Sequence, residues 1–260
     1  MRRTASAQRS NMSEALYAEW TKLRTTPGTI WLLLAVVATT VAVSIAAAAA
    51  ITCAAGTCGV DPTKVSLTGV QLGQAVVAIL AVLAIGNEYS SGMVRITLTA
   101  IPRRTTVLAA KAAVLAGVVT AAATVAVLAS LVAGRLILPD HAQLSGDGPV
   151  LRAVAGSILY LGLIALLSLG IATAVRNSAT AIGIVLGLLY VFPIIAQAVP
   201  DEDWRRHLQQ IGPMSSGLAI QATTDLASLP IGPWAGLGVL AAWAAAAMLT
   251  GGLLLHMRDA

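Results

Sequence analysis

Charge is scarce in this chain. Asp, Glu, Lys and Arg make up 10% of its 260 residues, while hydrophobic residues make up 57%. An ordinary soluble domain carries about 25% charged residues. A soluble fold has no polar shell large enough to cover so much apolar surface, so lipid is the expected solvent. The acidic residues, 11 in all, are missing from every long apolar stretch. That argues against a proton-coupled carrier, which relies on an intramembrane carboxylate or an equivalent relay. Histidine is rare as well: His141, His207 and His256 lie in connections or near the end. No H-E-x-x-H or G-x-S-x-G pattern occurs, which argues against catalysis by this chain alone. Nor is there a G-x-x-x-x-G-K-[ST] loop, so the chain lacks the usual phosphate cradle for ATP. Active transport would then draw its energy from another subunit.

Cysteine is nearly absent. Cys53 and Cys58 follow the first apolar stretch, with no neighbouring His or second Cys pair to make a zinc site. In an extracytoplasmic connection they suit a small disulfide loop, with two free thiols as the alternative. No metal site is expected. The net charge of +5 comes without a basic stripe interleaved with aromatics, which sets nucleic acid aside as a partner.

What is present is apolar sequence in six stretches of near-spanning length: about 30–52, 69–86, 107–137, 153–175, 179–198 and 234–255. Each approaches the roughly 20 residues that cross about 30 Å of hydrocarbon. The first follows a polar lead too long for a secretion signal and is read as a retained span. With the N-terminus inside, Arg2, Arg3, Arg9, Lys22, Arg24, Arg95, Arg103, Arg104, Lys111, Arg176 and Arg258 fall on the cytoplasmic side. Lys64, Arg135, Arg152, Arg205 and Arg206 fall outside, with most of the acidic residues. Positive charge thus gathers inside, as in multi-pass proteins generally. The expected fold is an all-α polytopic bundle of six transmembrane helices, both termini cytoplasmic.

Residues 1–11 read as a disordered tail and 12–27 as an amphipathic interface helix capped by Ser13. Leu16, Trp20 and Leu23 share one face; Glu14, Glu19, Lys22 and Arg24 occupy the others. Pro27 bars its continuation into the first span. The connection from Gly86 to Thr106 holds Glu88 beside a span, then Val94, Ile96, Leu98 and Ile101. An apolar connection of this kind calls for a covering surface, either membrane or a protein partner. Pro102-Arg103-Arg104 ends it, and Arg103, Arg104 and Lys111 read as membrane-surface anchors. In the second span Gln71 and Gln74 share a helical face, fit for interhelical hydrogen bonds or for lining a path. The longest outer connection, 199–233, is apolar enough in its second half to fold back as short helices on the outer surface.

Glu88-Tyr89-Ser90-Ser91-Gly92-Met93-Val94-Arg95, followed by Ile101-Pro102-Arg103-Arg104 and Lys111, resembles the cytoplasmic loop of type-2 (exporter-class) ABC transporter permeases. It departs at Met93, where that family favours Thr. The opening Glu14, Glu19-Trp20, Lys22-Leu23-Arg24 and Pro27 is similar to the family's first helix. Pro213-Met214-Ser215-Ser216-Gly217 with Ala219-Ile220 is similar to its outer segment before the last span. The resemblance covers about residues 12–260. It implies that two six-span subunits pair, identical or paralogous, over two ABC ATPase subunits that bind ATP and Mg2+, and that this chain binds no cofactor itself. It implies a coupling helix from about Asn87 to Leu98, with Glu88, Tyr89, Gly92, Val94, Arg95 and Ile96 facing the ATPase and the opening helix touching it too. The implied home is the bacterial plasma membrane. Other readings of the residues are a membrane anchor or immunity protein that recruits an ATPase without transporting, and a secondary transporter.

Overall fold

The computed structural model describes residues 2–51, 61–93, 104–138 and 147–257. No strand occurs among them. Helix α1 covers Arg2–Thr25 and α2 Pro27–Ala49; a short α3, Pro62–Ser66, leads into α4, Val70–Ser90. Then come α5, Arg104–Ile137, and α6, Asp147–Val175. The fifth span is composite: α7, Ser178–Leu186, a π-helical turn over Gly187–Val191, and α8, Phe192–Ala198. Short helices α9, Glu202–Ile211, and α10, Pro213–Leu218, precede the last span, α11, Pro233–Met257. Six of these units are long and apolar enough to cross a membrane.

The helix boundaries follow from local chemistry. Pro27, Pro62, Pro213 and Pro233 each stand in a first helical turn, where a missing N–H costs nothing and the fixed φ is already helical. Asp61 caps α3, accepting from the Thr63 and Lys64 N–H groups at 3.1 Å. Asn177 caps α7 through the Thr180 N–H at 2.9 Å, and Asp201 caps α9 through that of Trp204 at 3.0 Å. Pro193 removes the N–H that would bond to Leu189, and the π-helical turn just before it absorbs the lost register.

Two spans form the interior. In α4 and α6, 61% of the most apolar window is buried, against 17–33% in the other four spans. Around this pair, α2 and α5 pack on one side and α11 packs along α6. The α6–α11 seam is closed by glycines. A Cβ on Gly170 would stand 2.5 Å from the Ala247 carbonyl carbon, and one on Gly251 would stand 2.6 Å from the Gly170 oxygen. Small residues let helix backbones meet where lipid supplies no hydrophobic drive.

Side-chain bridges fix which helix ends lie together. Lys111 in α5 pairs with Glu19 of α1 and Glu88 of α4. The Arg104 Nη1 donates to the Leu255 carbonyl of α11 at 2.6 Å. The second half of α1 and the end of α11 therefore share one end of the bundle with the close of α4 and the start of α5. At the opposite end, Asp61 bonds to Thr223 and Thr224, and an Arg152 Nη donates to the Ala222 carbonyl at 2.6 Å.

Three features differ from the sequence reading. The segment expected as a disordered tail is part of α1, so Ser13 lies inside the helix and does not cap it. The second span continues past Gly86 to Ser90, and Glu88 and Tyr89 form its last turn, not a separate loop. In the outer connection, Ala219–Thr223 does not rest on the surface. It tucks into the bundle, with Ile220 fully buried against Gly156.

Candidate functional site

The densest chemistry among the described residues is a square of alternating charge at the end that carries α1. Lys22 Nζ donates to Glu19 Oε1 at 2.7 Å and to Glu88 Oε1 at 2.9 Å. Lys111 Nζ donates to Glu19 Oε2 at 2.5 Å and to Glu88 Oε1 at 2.9 Å. Glu19, Glu88 and Lys111 are buried, at 3%, 8% and 5% exposure. Two positive and two negative groups balance, so each buried charge meets an opposite one on two sides. That is the arrangement in which a buried ion is tolerable. Burial works against the charge on Lys22, but the hydrogen bonds to Glu19 and Glu88 outweigh it and hold the ammonium above the ordinary lysine value. The square locks α1, the last turn of α4 and the start of α5 into one unit.

Beside it lies a cleft of about 390 Å3, bounded by Lys22, Thr26 and Thr29 on one wall and by Asn87, Glu88, Ser91 and Met93 on the other. The chain leaves α4 through Gly92, whose φ of +71° belongs to the left-handed region that glycine tolerates best. The neighbouring Tyr89 ring carries the Arg176 guanidinium 5.7 Å from its centroid, which ties the end of α6 to the end of α4 by a cation–π contact.

Deeper in the bundle, Gln74 is fully buried and accepts a hydrogen bond from the Tyr160 hydroxyl of α6. The Tyr190 hydroxyl, within the π-helical turn, donates to the Gln71 carbonyl. These bonds join α4 to α6 and to the composite fifth span. At the far end the Asp61 carboxylate also accepts from the Thr223 N–H at 2.5 Å, the Thr223 hydroxyl at 2.7 Å and the Thr224 N–H at 3.1 Å. Partial burial raises the Asp61 pKa, but these bonds and that from Lys64 overcome it and hold the carboxyl below its ordinary value.

The structure brings some of the residues singled out in the sequence together and sets others apart. Glu88 was expected among the ATPase-coupling residues, and Glu19 on a polar face of the opening helix. Both are buried, because Lys111 reaches them from another helix. Lys111 and Arg104, read as membrane-surface anchors, make internal contacts: Lys111 in the square, Arg104 on the carbonyl end of α11. Trp20 and Arg24 are exposed. Gln74 faces the interior of the bundle, while the Gln71 side chain lines a second cleft near Lys64. Val94, Arg95, Ile96 and Arg103 lie outside the described residues, as do Cys53 and Cys58.

One element escaped the sequence reading. The Asp61 clamp had a signal, since Asp-Pro before a short helix reads as a cap followed by a first-turn proline.

A search of curated proteins finds no match to the chain. A family model described as "ABC-2 family transporter protein" matches residues 15–194. The match takes in the second half of α1, the charge square and the first four spans with most of the fifth. With six spans and a match across most of its length, the chain belongs to the ABC-2 family of transporter proteins, as a membrane permease of an ABC transporter.

Proposed function

We propose that this permease is the membrane half of an exporter driven by a separate ABC ATPase. The ATPase docks at the end of the bundle that carries α1 and the α4–α5 connection, which is the cytoplasmic end. A second permease subunit, identical or paralogous, completes the path, and ATP and Mg2+ are held by the ATPase. One observation carries the reading: the charge square fuses α1, α4 and α5 just where the chain runs through Gly92 into the connection. A push on that connection is delivered to three helices together and not lost in bending one of them. The basic excess at this end supports its cytoplasmic placement. Val94, Arg95 and Ile96 are the residues proposed to enter the ATPase groove.

The test is coexpression with a candidate ABC ATPase subunit, followed by purification and reconstitution. The ATPase is expected to copurify, and Arg95→Glu with Ile96→Asp to release it while the permease stays monodisperse. A complex whose ATPase stays bound to that variant places the coupling surface elsewhere. ATPase capture without solute movement supports the anchor or immunity reading instead. Transport with no ATPase present supports a secondary transporter.

A further inference from the structure

A groove runs between α2 and α5 on the outside of the bundle, with a volume of about 650 Å3. Its walls are Ile30, Leu34 and Val37 of α2 and Val114, Gly117 and Val125 of α5. Ile30, Leu34 and Val125 are exposed, at 50%, 55% and 58%, so the groove opens outward, where a span meets lipid. Its lining is apolar throughout, apart from the indole of Trp20. Such a lining excludes a polar cargo and fits hydrocarbon.

Depth and end chemistry together identify the occupant. From Val114 to Val125 the α5 wall rises about 1.5 Å per residue, roughly 16 Å in all. That is about half of the roughly 30 Å hydrocarbon core, which is one leaflet. A helix of a second copy would need a contact face through both leaflets, whereas an acyl chain needs one. The end of the groove nearest α1 is marked by Trp20, an amphipathic ring of the kind that sits at headgroup level. Arg24 lies one helical turn beyond Trp20 on the same face of α1, and it is exposed. An apolar slot one leaflet deep, with an indole and a guanidinium at its mouth, matches a lipid whose headgroup carries negative charge.

We propose that the α2–α5 groove binds one anionic glycerophospholipid, with an acyl chain between the two helices and its phosphate on Arg24. The lipid rests on the flank of α1, the helix that the charge square joins to α4 and α5. Lipid charge is thereby in a position to bias that unit. The site does not depend on the cargo or on the direction of transport.

Gly117 allows a clean test. Among the described residues a Cβ built there meets nothing within 4 Å, so Gly117→Leu extends a side chain into the slot from an open position. The full chain is purified in detergent, mixed with equal amounts of phosphatidylglycerol and phosphatidylcholine, and weighed intact by native mass spectrometry. Phosphatidylglycerol is expected to be retained in preference. Arg24→Ala is expected to cut that preference about fivefold, the size of one basic residue's attraction to an anionic surface. Gly117→Leu is expected to lower retention of both lipids while Arg24 is intact. Equal retention of the two lipids by the wild type overturns the proposal, as does retention that Gly117→Leu leaves unchanged. A disulfide between two copies formed by Val118→Cys, with no lipid retained, assigns the groove to a second copy and overturns it as well.

Discussion

At the end of the bundle that carries α1, three helices are joined by four charged side chains; at the other end, one carboxylate gathers backbone and hydroxyl donors. Both arrangements tie together distant parts of the chain. Lys111 reaches Glu19, 92 positions away, and Asp61 reaches Thr223, 162 positions away. They differ in what holds them. The square depends on mutual neutralisation of buried ions, so losing one member leaves another uncompensated. The Asp61 clamp depends on five donors converging on a single group, so losing one donor leaves four. The first is stiff but intolerant of change, and the second can be loosened by degrees. That division fits the proposed coupling, in which the end with the square receives force as a unit.

The largest effect is expected at the square. Lys111→Met leaves Glu19 and Glu88 with Lys22 as their shared cation, and breaking a buried pair by removing one partner costs about 3–5 kcal/mol. The protein is expected to lose folded yield and to unfold many degrees lower when followed by intrinsic fluorescence in detergent. Lys111→Met with Glu88→Leu removes one charge of each sign and is expected to recover a large part of that loss. A double variant as unstable as the single one would mean that neutrality is not what holds this end together.

At the opposite end, Asp61→Asn keeps the shape but replaces the charge, and it turns one accepting oxygen into a donor. Hydrogen bonds to charged groups are worth about 1.5–3 kcal/mol each; five donors share one carboxylate and their contributions do not add, so a loss of about 2 kcal/mol is expected. The effect depends on pH. Because the Asp61 carboxyl is held below its ordinary value in the folded protein, its contribution is fully present above the unfolded value of about 3.9. It is lost as the pH falls through the folded value. A melting series from pH 7 to pH 3 should therefore show a decline below about pH 4 that Asp61→Asn lacks. Parallel curves for the two proteins would remove Asp61 from the account.

Much of the bundle was legible in the sequence. Hydrocarbon thickness fixes span length, and the scarcity of charge left few places for the spans to end. The site was only half legible. Lys111 stands in an apolar stretch with no other charge until Arg135, a sign that it needed a counterion inside the protein. That pointer was read as anchoring, because a lysine near a span end usually extends to the headgroups. Its partners Glu19 and Glu88 lie in other helices, and no periodicity within one helix can reveal a pair between three. The extension of α4 through Glu88 was hidden for a related reason. Gly86-Asn87-Glu88 looks like an ending until Lys111 supplies the charge that lets the helix continue.

Gly92 sharpens the contrast at the exit from the square. Gly92→Ala places a Cβ on a backbone at φ +71°, which costs about 1–2 kcal/mol for an L-residue. Among the described residues no neighbour stands within 4 Å of that Cβ, so the cost expected is the conformational one. Melting is expected to shift modestly, while ATPase stimulation by the reconstituted permease falls further than stability does. Equal losses in both measurements would make Gly92 an ordinary turn residue.

The smallest effect separates two lysines that touch the same carboxylates. Lys22 and Lys111 each bond to Glu19 and Glu88, yet the Lys22 side chain is 28% exposed and that of Lys111 only 6%. Solvent can stand in for an ammonium where water already reaches, so Lys22→Met is expected to cost about 1 kcal/mol, near the upper end for exposed pairs. Salt gives a second readout. At about 1 M ionic strength the screening length falls to about 3 Å, which weakens the Lys22 contacts but leaves those of the enclosed Lys111 nearly intact. The stability gap between wild type and Lys22→Met should therefore narrow in high salt, and the gap for Lys111→Met should not. If both gaps shrink equally, water reaches the whole square, and the end of the bundle that carries α1 is no stiffer than the end held by Asp61.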